Sequence, residues 1–155
     1  MNFQTMNKQR KFILIAAAIG AIATFLPWVS VSFGGYGGYS YNGFNGIGIL
    51  VFFCLVASGV LAFLGDQTKA LDKTFWFITL ACGAIATLIM VINFLRASGY
   101  MSLIGIGFYL TTLASIVVLV AAYMFRSPGD SIKGGFDSMK HDIESKAKGS
   151  DTPSA

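Results

Sequence analysis

Charge is what this chain lacks. Of 155 residues, 12% are Asp, Glu, Lys or Arg, with 7 carboxylates and a single His, where soluble domains carry about 25% charged residues. The shortage is concentrated, because residues 12–65, 74–95 and 97–125 contain no Asp, Glu, Lys, Arg or His. A soluble domain of this size has too little polar surface to cover so much apolar chain, which excludes an ordinary soluble fold. Cysteine is scarce as well. Cys54 and Cys82 both sit inside apolar runs and read as small buried hydrophobes rather than a disulfide. With one His and no Cys-x-x-Cys there is no metal-ligand spacing, and no metal is expected. Of the 3 prolines, Pro27 falls inside an apolar run, where it ends or kinks a helix.

What is present is apolar: 55% of the residues are hydrophobic. Crossing the hydrocarbon of a bilayer takes about 20 such residues at ~1.5 Å each. That length predicts spans at 12–32, 46–65, 74–95 and 102–125, an all-α, four-helix transmembrane bundle. Between the first two lies Phe-Gly-Gly-Tyr-Gly-Gly-Tyr-Ser-Tyr-Asn-Gly-Phe-Asn-Gly, residues 33–46. Neither helix propensity nor lipid favours it, so it belongs at or beyond the interface, as a loop or a short hairpin on the headgroups.

Lys and Arg set the orientation. With the N-terminus in the cytoplasm, that side holds Lys8, Arg10, Lys11, Lys69, Lys73, Arg126, Lys133, Lys140, Lys146 and Lys148, and the outer side only Arg96. Both termini are therefore expected inside the cell, in a multi-pass membrane protein. The predicted organisation is a basic cytoplasmic N-terminus at 1–11, the spanning domain at 12–125, and a cytoplasmic tail at 126–155. Trp28 and Trp76 fall at span ends, the interfacial positions of indole rings. A rival reading makes Lys8–Lys11, the run from Phe12 and Ala21-Ile22-Ala23 a cleaved signal peptide. The apolar character runs on to Phe33, too long for a 7–15-residue core, which favours a retained span.

An internal repeat is visible. Gly20-Ala21-Ile22-Ala23-Thr24 matches Gly83-Ala84-Ile85-Ala86-Thr87, and Ile47-Gly48-Ile49 matches Ile104-Gly105-Ile106. Against chance identity in a small alphabet stands a parallel duplication of a two-helix hairpin. Small residues four apart mark close helix contacts in lipid. Ala16, Gly20 and Thr24 form such a ridge, and Thr79, Gly83 and Thr87 form another. Spans 1 and 3 are expected to meet through them, with Thr hydroxyls bonded back to carbonyls.

Little points to chemistry. No carboxylate, His, Lys or Arg lies in any span, so neither catalysis nor ion coupling finds its usual groups. Asp66 and Asp72 alternate with Lys in a connector and read as solvated, and His141 stands alone. The expectation is therefore no catalytic residue, no cofactor and no nucleic-acid partner. Asn93, late in span 3, is either a pore contact or an interhelical hydrogen-bonding group. In the outer loop, Trp28, Tyr36, Tyr39, Tyr41 and Phe44 offer aromatic surface. In the tail, Ile132, Phe136, Met139 and Ile143 recur at helical steps, predicting an amphipathic helix at about 131–147 that meets a partner or the membrane surface. Gly134 and Gly135 weaken its first turn, and Gly149 onward reads as disordered.

Phe25-Leu-Pro-Trp28-Val-Ser-Val31, the Gly-rich loop, and Asn45-Gly-Ile-Gly48-Ile-Leu50 resemble small uncharacterised four-span proteins of bacterial inner membranes. The resemblance covers about the first 65 residues and implies topology, not activity. The Leu-Pro and Trp after span 1 are also similar to claudin and peripheral-myelin tetraspans. The chain lacks their Gly-Leu-Trp and paired Cys, which separates it from a junction-forming role. Two functions remain: a non-enzymatic accessory or structural subunit packing on other membrane proteins or on itself, and an oligomeric channel or transporter for a small solute.

Overall fold

The structure is a computed structural model that describes residues 4–126 and 132–149. Of the end expected to be disordered, Gly149 closes a helix, and 150–155 fall outside those residues. Asn7 starts the first helix, its side-chain oxygen accepting from the Gln9 N–H at 2.9 Å, a normal N-cap. Helix α1, Lys8–Ala23, follows. Thr24 caps it through a bond from its N–H to the Gly20 carbonyl. Pro27 lacks an N–H and its ring bars a further turn, so the chain goes extended. Val29 and Val31 then alternate with Ser30 and Ser32, the two-residue period of a strand. Strand β1, Pro27–Ser32, pairs antiparallel with β2, Gly38–Asn42, after Gly34 and Gly37 at φ +57° and +100° turn the chain back.

One expectation is corrected here. A helical span over 12–32 does not form, because the helix stops at Ala23 and, after a turn, the chain from Pro27 to Ser32 is ribbon. Among the described residues the fold is mostly helical, with five α-helices beside the two-stranded ribbon. The remaining helices are α2, Gly48–Phe63; α3, Lys73–Arg96; α4, Ile106–Met124; and α5, Ile132–Gly149. Short 3₁₀ turns at Ala97–Leu103 join α3 to α4. The stretches Lys73–Leu103 and Ile106–Met124 are long and apolar enough to cross a membrane, while Gly48–Phe63 is apolar but shorter.

Helices α1 to α4 form a ring in which each packs on its two chain neighbours and α4 closes onto α1. The expected meeting of α1 with α3 is therefore wrong, because they occupy opposite corners. A small-residue ridge says that a helix packs closely, not on which partner. A Cβ on Gly20 would lie 2.7 Å from Leu55 of α2 and 2.8 Å from Ala114 of α4, and one on Gly83 would lie 3.2 Å from the Leu119 backbone of α4.

The interior mixes small and hydroxyl-bearing side chains with larger apolar ones such as Ile13, Leu55, Trp76 and Met90. Ala16, Ala17, Ser58, Thr79, Ala86, Thr111, Ala114 and Ser115 are buried, while Phe53, Leu88, Leu95, Ile106 and Leu113 point outward and are exposed. Thr24, Ser58, Thr111 and Ser115 bond to carbonyls three or four residues earlier at 2.6–2.8 Å. Thr79 and Thr87 depart from expectation, their buried hydroxyls having no partner. A helical Thr has two rotamers, and only one brings Oγ1 to that carbonyl.

Candidate interaction surfaces

At the end where α1 begins and α2 and α4 finish, helix C-terminal carbonyls have no partner in their own helices. Three long side chains fill that need. The Arg10 guanidinium donates to Lys69 O at 2.8 Å, Ala62 O at 3.2 Å, Ala70 O at 3.4 Å and Leu64 O. Gln9 donates to Ala122 O at 3.2 Å and accepts from the Leu71 N–H at 3.1 Å. The Trp76 indole N–H donates to Ala122 O at 2.7 Å. All three side chains are buried. The Arg10 cation also sits at the negative end of the α2 dipole. This cluster ties together α1, the end of α2, and the connector before α3.

Within the expected basic N-terminus at 1–11, helix α1 already begins at Lys8 and contributes buried Gln9 and Arg10. Trp76 is likewise a core residue rather than an interfacial ring. A signal for Arg10 was present. Arg10, Ile13, Ala17, Gly20 and Thr24 recur at steps of three and four, which puts Arg10 on the buried ridge once Asn7 is taken as the cap.

The opposite end is closed by the ribbon. Trp28, expected among exposed loop aromatics, is only 8% exposed. Its ring meets Phe108 edge-on at 5.5 Å and its indole N–H donates to Ala23 O at 3.3 Å. The inward turn is permitted by glycine, because a Cβ on Gly43 or Gly48 would come within 2.6 Å of the indole. Gly105 donates to Trp28 O at 2.7 Å, and a Cβ there would strike Pro27 O. The matched glycines Gly48 and Gly105 thus do one job twice, letting α2 and α4 start hard against the Pro27–Trp28 segment. Phe44 is half-buried, with its ring 4.8 Å from Phe25 and 4.9 Å from Phe52. Tyr39 and Tyr41 stay exposed with ring centres 4.8 Å apart. The Tyr41 phenol is held above its ordinary pKa chiefly by a hydrogen bond with Tyr39. The side chain of Tyr36 lies outside the described residues.

On the flank, α5 packs against α3. Thr74 Oγ1 donates to Asp142 at 2.9 Å, and Phe136 meets Phe77 at 6.3 Å. The helix runs through Gly134 and Gly135 instead of fraying, because Gly135 lies flat on Phe77, where a Cβ would come within 2.8 Å. Of the predicted stripe, Met139 is half-buried, whereas Ile132, Phe136 and Ile143 remain exposed. Asn93 is half-buried and donates to Ile89 O of its own helix at 2.7 Å, not to a neighbouring helix, because that carbonyl lies one turn back within reach of its amide. Cys54 and Cys82 are unbridged, and no group of His, Cys, Asp or Glu suited to a metal occurs among the described residues. No protein-family model matches the chain, and neither a curated protein nor a solved structure matches it.

Proposed function

We propose that the chain is a four-span integral membrane protein with both termini in the cytoplasm. In this reading it acts as a non-enzymatic accessory or structural subunit that packs on other membrane proteins or on a second copy. One observation carries the reading: large apolar side chains are exposed all around the ring. Ile19, Phe53, Leu88 and Leu113 face outward from the four helices, and hydroxyls and alanines share the interior with Ile13, Leu55, Trp76 and Met90. In water that distribution is costly, and in lipid it is what close helix packing asks for. The positive charges of Lys8, Lys11, Lys69, Lys73 and Arg126 gather at one end, in keeping with a cytoplasmic face. The uncovered stripe of α5 adds a surface for a partner or the membrane.

Extraction in mild detergent followed by mass spectrometry tests the reading. A stoichiometric membrane-protein partner or a stable homo-oligomer is expected, and a bare monomer at native abundance would contradict it. A second reading, an oligomeric channel or transporter, draws on the unpartnered buried hydroxyls of Thr79 and Thr87. Solute flux through reconstituted vesicles that disappears in Thr79→Val and Thr87→Val would favour it.

A further inference from the structure

The ribbon has one protected edge and one bare edge. On the β1 side, Val29 bridges to Ile104 and the Trp28 carbonyl is taken by Gly105. On the β2 side, no described residue pairs with Gly38–Asn42. Phe33 donates to Gly37 O at 2.9 Å, so the alternation of an antiparallel ladder turns the N–H and C=O of Gly38 and Ser40 toward that bare edge, while beyond the register shift the Asn42 carbonyl accepts from the Asn45 N–H at 3.2 Å. Exposed edges are ordinarily guarded by Lys, Pro or a bulge. This one is Gly-Tyr-Ser-Tyr-Asn, and residues 27–46 carry no charge. The register Val29 to Tyr41 and Val31 to Tyr39 puts these four side chains on one face, where Tyr39 and Tyr41 are 60% and 48% exposed.

The sequence around Ser40 also reads the same in both directions, as Tyr39-Ser40-Tyr41. A two-fold interface requires a patch that complements itself. We propose that β2 is a self-pairing edge, through which two copies of the chain join antiparallel about an axis at Ser40. Ser40 then exchanges backbone bonds with its counterpart, and each Tyr39 stands opposite the other copy's Tyr41. The result is a four-stranded sheet with the tyrosines gathered on one face. Such pairs of aromatics across strands stabilise a sheet, and the absence of charge removes like-charge repulsion. The inference deepens the accessory reading by naming its partner as a second copy, and it rests on the hairpin lying outside the bilayer.

Cysteine cross-linking in native membranes tests it, in a chain carrying Cys54→Ala and Cys82→Ala. Paired Ser40 positions would have Cα atoms about 5.5 Å apart, inside the range of about 4.4–6.8 Å that a disulfide spans. Ser40→Cys is therefore expected to give a disulfide dimer under mild oxidation. Tyr39→Cys alone sits on a diagonal of roughly 7–8 Å and should cross-link at least about fivefold less. Mixing Tyr39→Cys with Tyr41→Cys should restore the dimer. Ser40→Lys places two cations across the axis and should reduce the dimer share in mild detergent by about tenfold. Absence of a Ser40→Cys dimer would overturn the proposal. So would equal cross-linking in all three samples, the mark of random collision, or hairpins that merely rest on lipid headgroups with dimer share unchanged by Ser40→Lys. A foreign partner recovered without any self-pairing would defeat this inference and leave the accessory reading standing.

Discussion

The two ends of the bundle each bury an indole, and they do so by opposite means. At the basic end, Gln9, Arg10 and Trp76 reach several ångströms to carbonyls at Ala62, Lys69 and Ala122. At the hairpin end the carbonyls of Thr24 and Trp28 are met at 2.9 and 2.7 Å by the backbone N–H groups of Gly43 and Gly105. One end satisfies its polar groups with long side chains, the other by removing side chains so that backbones touch. The lesson concerns tolerance. A long donor can be shortened and leave a gap that relaxes, whereas a Cβ forced between two backbones has nowhere to go.

That contrast sets the order of the expected effects. Gly105→Ala should be the most damaging, because the Pro27 carbonyl it meets is backbone. A loss of about 3 kcal/mol is expected from overpacking, read as unfolding in mild detergent. Arg10→Met should cost about 2 kcal/mol by leaving buried carbonyls unpaired, with Arg10→Lys restoring only part of it. If the two variants prove equally mild, the proposed difference between the ends disappears. Trp76→Phe should cost less than about 1 kcal/mol, because Gln9 also donates to Ala122 O. Adding Gln9→Ala should then cost more than the two single changes predict, as a shared acceptor requires.

The smallest effect belongs to the connector at the basic end. The Asp66 carboxylate accepts from Thr68 Oγ1 at 2.6 Å and Thr68 N at 3.1 Å, bonds that hold its pKa below the ordinary 3.8. A lowered folded pKa means that its contribution is present above 3.8 and fades as pH falls through the lower folded value. A carboxyl-carbon NMR titration should find Asp66 titrating below an unstructured Asp, and Thr68→Ala should bring it back.

The helices of the second half were legible because their boundaries rest on local signals: α3 and α4 lie within a few residues of the expected 74–95 and 102–125. The first half was harder. Residues 12–32 are free of charge throughout, and an uncharged, mostly apolar run does not distinguish helix from ribbon. The alternation of Val29 and Val31 with Ser30 and Ser32 beyond Pro27 carried that information. Gly20 and Gly83 were legible as packing positions, while their partners were not, since closeness is written in residue size and neighbourhood in the ring order. Arg10 was read only as a topological charge, although its helical phase with Ile13 and Gly20 placed it inside. Trp28 was read from its position along the chain, and its burial depends on Gly43, Gly48 and Gly105, which are distant in sequence.

The central claim is that four helices cross the bilayer and leave the hairpin on one side and the basic end on the other. In intact cells expressing a chain with Cys54→Ala and Cys82→Ala, a membrane-impermeant maleimide added outside should label Tyr39→Cys. The same reagent should reach Thr68→Cys and Ser145→Cys only after permeabilisation. Equal labelling of all three from outside would contradict the account.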